Sequence, residues 1–245
     1  MQVVINSILA NYEVYGEPNR PYLLVLHGWK RDITDWRRVA QALSKSHYVV
    51  LLDLPGFGGT TQPKTNYGTY EYADFVTAFL RKLDIPKVSV LGHSFGGRIC
   101  IILGARSPAI EKLILVDSAG TNTINPILKY IVLAVKPLLS VLPNVIANKV
   151  RQLLSSQDFL QAGSMKDIFK KVISEDLTHL LGLIQSDSLV VWGSEDKVLN
   201  VNNTKVFHQR IPNNIVRIVW GAGHHPHIDK EEVFIEIIEE FLHAK

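Results

Sequence analysis

The sequence predicts an α/β domain: a mostly parallel sheet of about eight strands with helices on both faces. Three observations carry this. Short β-branched and apolar runs alternate with amphipathic helical patterns, the signature of repeated strand–helix units. A length of 245 residues with 47% hydrophobic and 20% charged residues suits one sizeable core. One stretch of roughly 70 residues breaks the alternation, too long for an ordinary connection, and points to a single insertion.

The elements follow in order. Val3–Tyr15 reads as an opening hairpin and Tyr22–Leu26 as a strand. Ile33, Trp36, Ala40 and Leu43 then recur near helical spacing, ahead of a strand at Tyr48–Leu52. Tyr72, Phe75, Val76, Phe79, Leu80 and Leu83 line one face of the next helix. Val88–Leu91 is a strand that turns into a helix at Arg98–Ala105, and Lys112–Val116, Leu189–Trp192 and Ile215–Val219 are further strands. The closing helix has an apolar face of Val233, Phe234, Ile237, Ile238, Phe241 and Leu242, with Asp229 and Glu232 at the spacing of a capping box. Between Asp117 and Leu189 the pattern is helical, with Pro126, Pro137 and Pro143 as breakers. The predicted organisation is a core of residues 1–120 and 188–245 interrupted by a helical lid at 121–187.

The charge balance of 26 Lys+Arg against 23 Asp+Glu leaves +3 with no long basic run, which argues against nucleic acid as the main partner. Cys100 is the single cysteine and cannot form an internal disulfide. With an opening Met1–Asn6 that lacks the basic region and apolar core of a secretory signal, it predicts a cytoplasmic setting. Ile124–Leu142 is the most membrane-like stretch. Asn125, Pro126, Lys129, Lys136 and Pro137 interrupt it, and a span needs about 20 mostly apolar residues, so no stable membrane span is expected.

The chemistry concentrates at Gly92-His93-Ser94-Phe95-Gly96, a G-x-S-x-G pattern between a strand and a helix. A serine at such a turn is held in a strained conformation that projects its hydroxyl from the sheet edge, and small flanking residues let neighbouring chain pass. A serine hydroxyl needs a base, and the base needs an orienting carboxylate. Val190-Val191-Trp192-Gly193-Ser194-Glu195-Asp196 supplies an acid after one strand, and Val219-Trp220-Gly221-Ala222-Gly223-His224 a histidine after the next. Glu195 and Asp117 compete with Asp196 for the acid. His225 competes with His224, which is favoured for its Gly-Ala-Gly lead-in. The run His224-His225-Pro226-His227 lacks the spacing of a recognisable zinc site, and neither a metal nor a cofactor is expected.

Over nearly its whole length the chain resembles the α/β-hydrolase fold superfamily, in the subgroup of small lid-bearing esterases and meta-cleavage-type carbon–carbon hydrolases. The resemblance lies in Leu26-His27-Gly28-Trp29, Asp53-Leu54-Pro55-Gly56-Phe57-Gly58, Gly92-His93-Ser94-Phe95-Gly96-Gly97, Trp192-Gly193-Ser194-Glu195-Asp196 and Gly221-Ala222-Gly223-His224. It implies Ser94 as nucleophile, His224 as base and then acid, and Asp196 as the orienting carboxylate. It further implies an oxyanion hole from the backbone N–H groups of Trp29 and Phe95, and a substrate pocket walled by His27, Gly28, Trp29 and His93. His27 also reads as a structural residue bonded to loop backbone, and Asp53 as the organiser of the Pro55–Gly58 loop. Arg98 reads as a packing or ion-pair residue and Cys100 as an inert core thiol.

The function expected is hydrolysis of small to medium apolar carboxylic esters. The alternatives are cleavage of a carbon–carbon bond in a vinylogous diketone and ligand sensing on the same fold. The carbon–carbon hydrolases usually carry an aromatic residue after the catalytic histidine and an arginine from the lid. Here His225 follows His224, and Arg151 is the one arginine in the lid region.

Overall fold

The computed structural model describes residues 1–121 and 163–244. Eight strands form one sheet: β1 (Gln2–Ile5), β2 (Ile8–Tyr15), β3 (Tyr22–Leu26), β4 (Tyr48–Leu52), β5 (Val88–His93), β6 (Ile110–Val116), β7 (Asp187–Gly193) and β8 (Asn214–Val219). Their spatial order is β1-β2-β4-β3-β5-β6-β7-β8. The pairs β1–β2 and β2–β4 are antiparallel, and every pair from β4 to β8 is parallel. The opening hairpin turns on two residues, Asn6 and Ser7, both at positive φ, as the right-handed twist of paired strands favours.

The central strands are apolar without interruption because both faces are covered. Leu24 and Leu26 of β3, Val50 and Leu52 of β4 and Val90 of β5 enter the core on one face. Leu23 and Val25, Val49 and Leu51, and Leu91 enter the core on the other. The period-two alternation thus divides one hydrophobic run between two cores. Helices α2 (Thr69–Lys82) and α3 (Phe95–Arg106) pack on the first face. On the second face lie α1 (Arg37–Leu43), entered through a 3-10 turn at Ile33–Trp36, and the C-terminal helix Glu231–His243.

Of the expected insertion at 121–187, the structure describes only the return to the sheet. This part carries α4 (Lys166–Ser174) and a 3-10 turn at Thr178–Leu183, with no strand before β7. Ile124–Leu142 and Arg151 lie outside the described residues. Among the described residues no helix is long and apolar enough to cross a membrane. After β7 come α5 (Thr204–Arg210), α6 (Pro226–Asp229) and α7 (Glu231–His243).

Two expectations need correction. Helix α3 starts at Phe95, directly after the turn serine, and not at Arg98. Asp229 does not cap the final helix: α7 has no side-chain cap, and the Asp229 carboxylate accepts the Gly223 N–H at 2.8 Å instead. A competing donor on the loop leading to His224 takes the acid that the local spacing had assigned to the helix.

Candidate active site

The parallel strands β3 and β5 are neighbours, but the chain leaves β3 toward β4 and later returns on the other side. The crevice at their carboxyl ends is a topological switch point, where open α/β sheets bind ligands. The loop after β3, the turn after β5 and the loops after β7 and β8 all meet there.

Ser94 occupies the turn at φ 49° and ψ −105°. Its N–H donates to the Val116 carbonyl at 2.9 Å, and its own carbonyl accepts the N–H groups of Arg98 and Ala119. The left-handed conformation is unfavourable for a side-chain-bearing residue and persists because these bonds over-determine it. Close approach of the chain is equally strict: a Cβ on Gly96 would sit 2.2 Å from the Leu26 carbonyl oxygen.

The structure brings three of the residues singled out in sequence into one hydrogen-bonded line. Ser94 Oγ is 3.1 Å from His224 Nε2, and His224 Nδ1 is 2.8 Å from Asp196 Oδ2. A carboxylate only accepts, so Nδ1 carries the proton and Nε2 presents a lone pair to the serine hydroxyl. The other Asp196 oxygen accepts the N–H groups of Val198 at 2.7 Å and Leu199 at 2.9 Å. Burial pushes the Asp196 carboxyl up, but the bond from His224 and these two amides outweigh it and hold the group below its ordinary value. Of the competing acids, Glu195 is exposed, while Asp117 is buried behind Asp196 with its Oδ1 on the Gly193 N–H at 3.0 Å.

The loop after β3 carries Gly28 and Trp29. A Cβ at Gly28 would lie 2.8 Å from His93 Nδ1, so glycine lets this loop close over the histidine. Trp29 lies inside a backbone turn closed by the Arg31 N–H on the Gly28 carbonyl, so its own N–H takes no part in that bond. Phe95 opens α3, and first-turn amides have no acceptor within their own helix. Both amides thus belong to the loop and turn that flank Ser94.

A cavity of about 280 Å³ beside Ser94 is lined by Gly28, Trp29, His93, His224 and His225, and also by Lys30, Arg31 and Val198. His27, expected as a wall, is not among the lining residues. It is buried, accepts the Leu54 N–H on Nε2 at 2.9 Å and therefore donates from Nδ1 to the Gly28 carbonyl at 2.8 Å. Its alternative reading as a structural residue is the one the geometry supports. His93 Nε2 donates to the His224 carbonyl at 2.7 Å and so fixes the backbone of that loop. Burial keeps His93 uncharged, well below the ordinary histidine value, with the nearby imidazoles adding to the effect.

Trp29 packs edge-on against Phe57 and Phe95, at ring-centroid distances of 4.9 and 5.2 Å, and tilted against Phe169 of α4 at 4.9 Å. The sequence reading did not assign Phe57 or Phe169 to the site, although Phe57 stands in the Pro55–Gly58 motif. Asp53 organises that motif, accepting the N–H groups of Ile33 and Gly59. Cys100 is buried, and burial pushes its thiol up, as for an inert core residue. Among the described residues, Asp117, Asp196 and His224 form a group compact enough to hold a cation. In this arrangement His224 Nδ1 donates to Asp196.

Residues 21–142 match the family model for the alpha/beta hydrolase fold. The chain belongs to the α/β-hydrolase fold superfamily. A protein of Bacillus subtilis (strain 168), named as the uncharacterized hydrolase YugF, is 24% identical over 97% of this chain and 96% of its own length. The solved structure of a membrane phospholipase A, described as a bacterial virulence factor, superposes with a TM-score of 0.82 at 24% identity, covering 99% of this chain and 84% of that one. An enol-lactonase from Burkholderia xenovorans LB400 superposes at 0.80 with 22% identity, covering 100% of both chains. At these identities the structural likenesses speak for the fold.

Proposed function

We propose that the chain is a serine carboxylic-ester hydrolase acting on small to medium apolar esters. The observation that carries this reading is the proton path from Ser94 Oγ to His224 Nε2 and from His224 Nδ1 to Asp196. Ser94 Oγ attacks the ester carbonyl carbon as its proton passes to His224 Nε2, and Asp196 stabilises the imidazolium that forms. The carbonyl oxygen, now negative, takes hydrogen bonds from the Trp29 and Phe95 amides. Each such donor is worth about 3–4 kcal/mol of transition-state stabilisation. When the tetrahedral species collapses, the carbon–oxygen bond breaks and His224 returns the proton to the departing alcohol oxygen. A water then gives its proton to His224, attacks the acyl carbon and releases the carboxylic acid with Ser94 restored.

The preference for apolar acyl groups is supported by Trp29, which lines the cavity and is backed by the rings of Phe57, Phe95 and Phe169. The segment 121–187 is the proposed lid, supported by the contact of Phe169 with Trp29, and the proposed setting is cytoplasmic.

The test is hydrolysis of p-nitrophenyl esters from acetate to laurate by the wild type and Ser94→Ala. The expected result is turnover that falls by about 10⁴-fold or more in the variant. No turnover at any chain length moves the reading to carbon–carbon hydrolysis or ligand sensing.

A further inference from the structure

Asp117 follows β6 at the same sheet edge where Asp196 follows β7. It is fully buried and held at φ 40°. Its Oδ1 accepts the Gly193 N–H, but its Oδ2 is buried and no donor among the described residues reaches it. Carboxyl oxygens of Asp117 and Asp196 and a ring nitrogen of His224 all lie within 4.8 Å of one another. Two carboxyl groups buried this close do not both ionise. The donors decide which one keeps the charge. Asp196 receives three hydrogen bonds, from Val198, Leu199 and His224, whereas Asp117 receives one. A proton on Asp117 turns Oδ2 from an unsatisfied acceptor into a donor, and the Asp196 carboxylate is the acceptor beside it.

We infer that Asp117 is a positioning residue: its carboxyl stays protonated at neutral pH and donates to Asp196, steadying that carboxylate against His224. The inference rests on the catalytic reading of Ser94, His224 and Asp196 given above. The titratable groups facing Asp117 are Asp196, His224 and Asp229. Burial pushes its carboxyl up to about 9 against the single bond from Gly193, and the negative charges of Asp196 and Asp229 act in the same direction.

The test compares Asp117→Asn, which offers Asp196 an uncharged N–H donor of nearly the same shape, with Asp117→Ala, which offers none. The Asn variant is expected to keep kcat/KM within about threefold and to leave the acid limb of its pH profile in place. The Ala variant is expected to lose about tenfold or more in kcat with little change in KM. An acid limb that moves down by about one unit in the Asn variant overturns the inference, because it means an anion had been supporting the charge on His224. An Ala variant that matches the wild type overturns it as well. Infrared difference spectroscopy reads the proton without any activity: at pH 7 the wild type and Ser94→Ala should both show the carbonyl stretch of an un-ionised carboxylic acid, absent from Asp117→Asn. Its absence from the wild type refutes the inference even if the Ala variant fails to fold. Ester turnover that survives Ser94→Ala refutes the catalytic reading and leaves the infrared result standing.

Discussion

Ser94 holds a left-handed backbone because the chain before and after it is fixed on β6 and α3, and the fixing depends on glycine at close range. Gly96→Ala brings a methyl group to 2.2 Å from the Leu26 carbonyl, where neither backbone can withdraw without opening the β3–β5 pair. The expected cost is about 1–3 kcal/mol or more, read as a lower midpoint in urea. The carboxyl of Asp117 makes a separate prediction. In the native chain it holds its proton up to about 9, whereas an unfolded aspartate releases it near 3.9. Between those values the native state binds more protons, so this group lowers stability as pH rises. The difference in Tm between Asp117→Asn and the wild type should therefore grow in favour of the variant from about pH 4 to pH 9. Sequence placed Ser94, Asp196 and His224 as candidates because each follows an apolar run with a recognisable turn. It had no means of deciding how Asp117 and Asp196 share a site, since that follows from β6 and β7 being neighbours in the sheet.

At the scale of elements, the segment at 166–183 is tied to the core through polar groups. The buried guanidinium of Arg98, on the helix after the turn serine, donates to the carbonyls of Val172, at 2.6 Å, and Glu175. The Glu175 carboxylate in turn accepts the Thr69 N–H at 2.7 Å at the start of α2, where negative charge suits the helix dipole. Arg98→Met keeps most of the apolar bulk but removes the donors, leaving buried carbonyls without their partner. The expected loss is about 2–4 kcal/mol, with faster amide hydrogen exchange concentrated in residues 166–177. Strand and helix identities were legible because their hydrophobic periods are strong. The start of α3 and the cap of α7 were not: one depends on how abruptly a strained turn enters a helix, the other on a donor at Gly223 that no local spacing announces.

At the scale of the whole molecule, the core that holds Trp36 and Phe234 ends at a histidine cluster behind the site. His227 is buried and stacks on Trp36, with ring centroids 3.9 Å apart and planes 8° apart, and neither ring nitrogen has a hydrogen-bond partner among the described residues. Burial holds His227 and His93 well below the ordinary histidine value, with the neighbouring histidines and, for His227, Arg31 adding to the effect. The unfolded chain takes up these protons near pH 6.5 and the native chain does not, so stability falls as pH drops below that value. His227→Phe keeps the stack on Trp36 and removes two unsatisfied atoms. Its Tm should exceed that of the wild type by more at pH 5 than at pH 8.

Ester cleavage by this site requires Ser94 to form a covalent bond with the acyl group. The direct measurement is rapid-quench mass spectrometry of the protein mixed with a p-nitrophenyl ester. The expected result is a burst of about one p-nitrophenol per chain and an acyl mass carried by the peptide containing Ser94. Turnover without such an adduct, or with the acyl group on another residue, would contradict it.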